Sequence, residues 1–145
     1  MKAVVQRVKQ TSLTVDGKLI SAIDFGLVVF LGVKQGDSEE RVERIAYKIA
    51  NLRIFEDDAG KMNLSVKDVG GEILLVSQFT LYGDCSHGNR PSFSNAEQPE
   101  RAKTLYEQCA DKLRGHGITV KQGVFGADMK ISQYNDGPVS IILEI

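Results

Sequence analysis

Gly26-Leu27-Val28-Val29-Phe30-Leu31-Gly32-Val33 is apolar at successive positions and bounded by glycines, with none of the apolar/polar alternation of a half-exposed strand. A strand that shows apolar side chains to both faces must be covered from two sides, so this run predicts the central strand of the core. Upstream of it, Val4 to Val15 reads as extended. Asp16-Gly17 then separates Val15 from Lys18-Leu19-Ile20, a two-residue hairpin signal because both central residues tolerate positive φ. Downstream, Asp37-x-x-Glu40 has the form of a capping box, and Val42, Ile45, Ala46, Ile49 and Leu52 recur at helical spacing among charged residues.

Further along, Arg53-Ile54-Phe55 is extended, Asp57-Asp58-Ala59-Gly60 is a turn, and Gly70-Gly71 precedes a long strand from Glu72 to Leu81 with a polar end. Small and polar residues from Gly83 to Gln98 predict a loop of about 15 residues, a length that in compact domains often carries function. Pro99 suits the first position of a second helix with Ala102, Leu105, Tyr106, Cys109 and Leu113 as its apolar stripe and Gly115 at its end. Strands at Ile118–Val124 and Val139–Ile145 complete the chain. The expectation is one α+β domain over residues 1–145: a curved, largely antiparallel sheet with a barrel-like core and two amphipathic helices.

The chain's 145 residues suit one domain, and 42% hydrophobic with 26% charged residues exclude a disordered, collagen-like or disulfide-scaffold protein. A net charge of -1 does not advertise a polyanionic partner, although residues 1–36 hold five basic and two acidic side chains. No apolar run reaches the roughly 18 residues of a membrane span and the N-terminus lacks a signal-peptide core, so a cytoplasmic location without membrane contact is expected. Cys85 and Cys109 have no C-x-x-C partner and read as free thiols.

Familiar catalytic motifs are missing: there is no G-x-S-x-G, P-loop or H-E-x-x-H, and the histidines are His87 and His116 alone. Asp84-Cys85-Ser86-His87 offers a thiol and an imidazole, hence a Cys/His hydrolase as one alternative, but groups so close in sequence rarely form a nucleophile–base pair. Ser77-Gln78-Phe79-Thr80-Leu81 ends a buried-looking strand just before the long loop. Its polar side chains either face a ligand or simply face water. Asn135-Asp136-Gly137-Pro138 reads as a tight turn before the last strand.

Eight blocks in order, Gln6-Arg7-Val8, Val15-Asp16-Gly17, Leu52 to Phe55, Gly60 to Asn63, Val76 to Leu81, Gly88 to Phe93, Gly126 to Met129 and Asn135 to Val139, resemble the D-aminoacyl-tRNA deacylase family over essentially the whole chain. His87 stands where that family usually shows Lys or Arg, and Ser140 where Thr is usual. The resemblance implies hydrolysis of the ester joining a D-amino acid or glycine to the terminal adenosine of tRNA, without cofactor or metal, in a homodimer with active sites at the interface. It implies a catalytic role for Ser77, Gln78, Phe79 and Thr80, with the ribose 2′-hydroxyl assisting and Thr80 and Gln78 positioning. It also implies substrate binding by Gly137 and Pro138 as a cis-proline motif contributed by the partner, by Arg7 pinning that motif, and by Phe125, Ala127 and Met129 lining the pocket. For Phe125 and Met129, core packing is the competing reading. A noncatalytic module that holds the tRNA 3′ end is the alternative from another class.

Overall fold

The computed structural model describes residues 1–145. Asp16 and Gly17 take positive φ of 49° and 73° and close a long antiparallel hairpin of β1 (Lys2–Val15) and β2 (Lys18–Gly32). β2 lies in the middle of a five-stranded sheet of order β6-β5-β2-β1-β7, the other strands being β5 (Glu72–Ser77), β6 (Val120–Gln122) and β7 (Lys130–Glu144). β1 pairs antiparallel with both β2 and β7, whereas β2–β5 and β5–β6 are parallel. The antiparallel expectation therefore holds for the long ladders and gives way at one side of the sheet. The reason is the helices: α1 (Glu39–Ala50) lies between β2 and β5 and α2 (Pro99–Gly115) between β5 and β6, and a helical crossover returns the chain parallel. Phe55–Glu56 (β3) and Met62–Leu64 (β4) make a separate two-stranded sheet around the Asp57–Gly60 turn.

Alternate residues of β1, β2 and β5, among them Val5, Leu27, Val29, Leu31, Ile73 and Leu75, pack under the apolar stripes of α1 and α2. On the other face Val8, Leu13, Ile23, Val28, Leu74 and Val76 form a smaller cluster that Met129 and Ile131 cover. The two-sided burial predicted for β2 is thus realised, at about 1.5–3 kcal/mol for each fully buried Leu, Val or Ile.

Four local readings change. Asp37 does not cap α1: Ser38 occupies that position, and the Asp37 carboxylate is buried against the Met1 ammonium at 2.9 Å and the Lys34 amide at 2.7 Å. The strand starting at Glu72 stops at Ser77 instead of Leu81, and Phe79–Tyr82 forms a 3-10 turn. Gly115, expected beyond the end of α2, is its last residue, and the left-handed φ of 80° falls on Gly117. Asn135–Pro138 is no turn between strands. β7 runs through it, and between the pairs Gln6↔Ser140 and Val8↔Asn135 the four residues Asp136–Val139 bulge out opposite the single residue Arg7.

Candidate active site

β5 loses its partner where β2 ends. The Gln78 amide donates to the Leu31 carbonyl at 2.9 Å, and the chain then leaves the ladder. The turn fits closely over Gly32, where a Cβ would lie 3.0 Å from the Gln78 carbonyl oxygen and 3.2 Å from the Leu81 Cβ. Within the turn, Leu81 N donates to Gln78 O and Gly83 N to Thr80 O, which leaves the Phe79 and Thr80 amides at its start without acceptors. They are neighbouring donors on an exposed turn, the kind of pair that can stabilise a developing oxyanion.

Beside them lies a cleft of about 310 Å³. Ser77, Gln78 and Phe79 line it together with Phe125, Ala127 and Met129, and Leu31 of the central strand, Val33 just past its end and Tyr106 of α2 complete it. Six residues singled out in the sequence are thereby brought together from segments 46 or more positions apart. Thr80 sits on the exposed side of the turn, its hydroxyl accepting a hydrogen bond from the Gln78 side-chain amide. That amide cannot take a proton, so Thr80 has no general base at its oxygen. Phe125 and Met129 are also half-buried against the two core clusters, so lining and packing are one role here.

Sequence reasoning missed Tyr106 as a wall residue, because its helical spacing marked it as core. Its hydroxyl donates to the Leu75 carbonyl at 2.8 Å, two residues before Ser77, and its ring lies 5.9 Å from that of Phe125. Burial pushes its phenol up to about 12, so it stays protonated. Phe93, in the Gly88–Phe93 block of the long loop, carries no local signal of a role at the cleft. Its ring packs edge-on to Phe79 at 5.1 Å. The Cys/His alternative finds no support in the geometry: the Asp84 carboxylate accepts the Ser86 amide, which lowers its pKa, and neither Cys85 nor His87 bonds to the other or to it. His116 packs against Tyr47. Nowhere do three His, Cys, Asp or Glu side chains converge.

Arg7, Gly137 and Pro138 are not in the cleft of their own chain. They lie at the β1/β7 side, where the Gly137–Pro138 peptide is cis and both residues are exposed. Arg7 is buried there. Its Nε donates to the Asp136 carbonyl at 3.1 Å and its Nη1 to the Ile54 carbonyl at 2.8 Å, while the Asp136 carboxylate lies 3.6 Å from Nε. Gly137 has φ of +128°, and a Cβ on it would sit 2.9 Å from a Val139 methyl and 3.2 Å from Arg7 Nη2. The guanidinium and a glycine thus shape the bulge jointly.

The family model described as D-Tyr-tRNA(Tyr) deacylase matches residues 4–144. Proteins named D-aminoacyl-tRNA deacylase from Aquifex aeolicus (strain VF5) and Geobacillus sp. (strain WCH70) are 54% and 56% identical over 144 residues, covering 99% of this chain and 97% and 95% of theirs. Among solved structures, one titled c-Myc DNA Unwinding Element Binding Protein superposes with a TM-score of 0.92 at 46% identity, covering 100% of this chain and 99% of its own. One of a probable eukaryotic D-amino acid tRNA deacylase superposes at 0.85 with 16% identity over 99% and 98%, a likeness of fold. By sequence over nearly its whole length and by fold, the chain belongs to the D-Tyr-tRNA(Tyr) deacylase family.

Proposed function

We propose that this protein is a D-aminoacyl-tRNA deacylase that hydrolyses the ester between a D-amino acid, or glycine, and the terminal adenosine of tRNA. The observation that carries the reading is the pair of free amides of Phe79 and Thr80 beside an apolar cleft with no general base at the Thr80 hydroxyl. An aminoacyl ester is already an activated acyl group. The chain then has to position it and stabilise the oxyanion, while the neighbouring ribose 2′-hydroxyl assists the attacking water. In this scheme Ser77 and Gln78 hold the substrate against the turn, Phe125, Ala127 and Met129 contain the nucleoside, and Thr80 orients Gln78.

Chirality is read by exclusion. The Gly137-Pro138 bulge of a second copy covers the cleft, its carbonyls meeting an L side chain and leaving a D side chain or glycine free. Two features support a homodimer: β7 pairs on one side only, leaving a free 15-residue edge, and Ile142 on it is 69% exposed beside Val4 and Phe30 on the face away from the helices. A cytoplasmic location fits this substrate.

Purified protein is expected to release D-tyrosine from D-Tyr-tRNA and leave L-Tyr-tRNA intact; equal cleavage of both defeats the chirality scheme, and stoichiometric binding without turnover selects a noncatalytic module. Thr80→Ala should keep activity within about tenfold, whereas loss of a nucleophile costs on the order of 10⁴-fold or more. A terminal 2′-deoxy tRNA should be a poor substrate.

A further inference from the structure

We propose that the Phe79–Phe93 pair is a stacking subsite for the nucleobase that precedes the terminal adenosine of the RNA, so that the enzyme reads two nucleotides of the 3′ strand instead of one. The proposal rests on the deacylase reading above. At about 310 Å³ the cleft is near the lower end of small-molecule sites and takes one nucleoside with its acyl group. The preceding nucleotide must therefore lie at the rim.

On the Phe79 side, that rim is aromatic and open. Phe79 is 57% exposed and Phe93 36% exposed, with rings at 71° to one another. Large apolar side chains left in water beside a cleft, one of them in its wall, mark a contact surface, and aromatic rings bind bases of single strands without regard to sequence. The pair is also fixed in advance. Asp84 and Ser92 exchange two backbone hydrogen bonds at 2.8 and 2.9 Å at the base of the loop, and Gly83 lets the Phe93 ring approach to where a Cβ would be 3.0 Å from its Cε1. Charge favours the same side. Arg90, on the loop closed by that bridge, is exposed and makes no ion pair, while on the opposite wall Asp128 is bound by Lys130 at 2.9 Å. A phosphate linking the two nucleotides thus finds its free cation near Phe93.

Phe93→Ala tests this with two substrates, intact D-Tyr-tRNA and the same tRNA made abasic at the penultimate position. For the intact substrate KM should rise about tenfold or more with kcat within twofold. For the abasic substrate, already weak with the unaltered enzyme, the substitution should change nothing. Phe93→Leu, which keeps apolar packing and removes the ring, should match Phe93→Ala and covers the case in which the alanine variant does not fold. An equal loss on both substrates means that Phe93 only props Phe79 and overturns the proposal, as does no loss on either. A changed oligomeric state in light scattering with unchanged KM overturns it in favour of a contact between copies. Affinity for an uncharged RNA hairpin ending in CCA, against one abasic at the penultimate position, reads the subsite without catalysis. If the enzyme fails to cleave D-Tyr-tRNA, the deacylase reading falls while this binding difference still decides the subsite.

Discussion

Arg7→Lys separates charge from geometry in the β1/β7 bulge. The guanidinium uses two nitrogens on two segments, Nε on the Asp136 carbonyl and Nη1 on the Ile54 carbonyl. A lysine ammonium is one point on a flexible stem and cannot occupy both places, so at least one carbonyl is left without its donor. Loss of one charge-assisted bond with a buried acceptor unmet costs about 2–4 kcal/mol. For a chain of this size that lowers Tm by roughly 6–12 °C. The bulge should also loosen, since Nε holds the Asp136 carbonyl next to Gly137 and a Cβ on Gly137 would lie only 3.2 Å from Arg7 Nη2. On the proposed function, deacylation of D-Tyr-tRNA then falls and the preference for D over L narrows, both measured at a temperature where the variant is fully folded. Thermal unfolding and single-turnover deacylation of the two substrates check it. A lysine variant with unchanged Tm and an unchanged D/L ratio refutes the claim that fork geometry, and not charge, holds the bulge.

Gly26→Ala should cost on the order of 4 kcal/mol or more, because its Cβ would fall 1.9 Å from the Glu72 carbonyl oxygen at a φ of +144°; a denaturant midpoint near that of the unaltered chain contradicts this. Burial raises the Cys109 thiol from 9.0 to about 12, so the folded chain keeps a proton that the unfolded chain loses first. Stability should therefore be complete below pH 9 and fall as pH rises beyond it, by up to about 1.4 kcal/mol per pH unit. Urea unfolding from pH 8 to 10.5 measures the slope, and Cys109→Ala should flatten its first part, before the tyrosines, whose phenols burial also raises, begin to contribute. Tyr106→Phe removes one donor from Leu75 O while Gly123 N still serves it at 3.1 Å, so a loss of about 1 kcal/mol is expected, and a loss several times larger would show that the hydroxyl holds more than that carbonyl.

The elements with regular periodicity were legible. Leu27–Leu31 gave the two-sided central strand, Asp16-Gly17 the hairpin, and the 3.6-residue spacing both helices, because each signal is local and agrees with the tertiary fold. Where a long-range partner decides, local signals misled. Asp37 has the right spacing for a cap, but the Met1 ammonium, 36 residues away, claims its carboxylate. Phe79 and Thr80 are good strand formers, yet β2 ends at Gly32 and leaves them no ladder to join. Asn135-Asp136-Gly137-Pro138 has turn composition, and the ladder with β1 resumes on both sides of it. The site followed the same division. Ser77, Gln78, Phe79, Phe125, Ala127 and Met129 are singled out by the family resemblance and not by local pattern, and their meeting in one cleft depends on the parallel β2–β5–β6 order, which no short stretch encodes.

That order also decides why a second copy is needed on the proposed function. Ser77 pairs with Leu31 on β2, while Arg7, opposite the Gly137 bulge, pairs with Leu27. From β5 to β7 there are three strand spacings, roughly 14 Å, and from Leu31 to Leu27 four residues, roughly 13 Å along the strand. No side chain spans that diagonal, and the bulge is anchored to β1 on both flanks and cannot swing across it. In the proposed homodimer a two-fold contact would remove the difficulty, because each chain's exposed bulge would lie over the other's cleft and one interface would complete two sites. That arrangement would make the proposed stereochemical filter independent of the oxyanion donors, since the two would come from different chains. Mixed dimers of a Gly137→Ala variant with a Gln78→Ala variant should therefore hold one complete site, the intact turn of the first chain under the intact bulge of the second, and recover discriminating deacylation that neither variant shows alone; no recovery refutes the crossed arrangement.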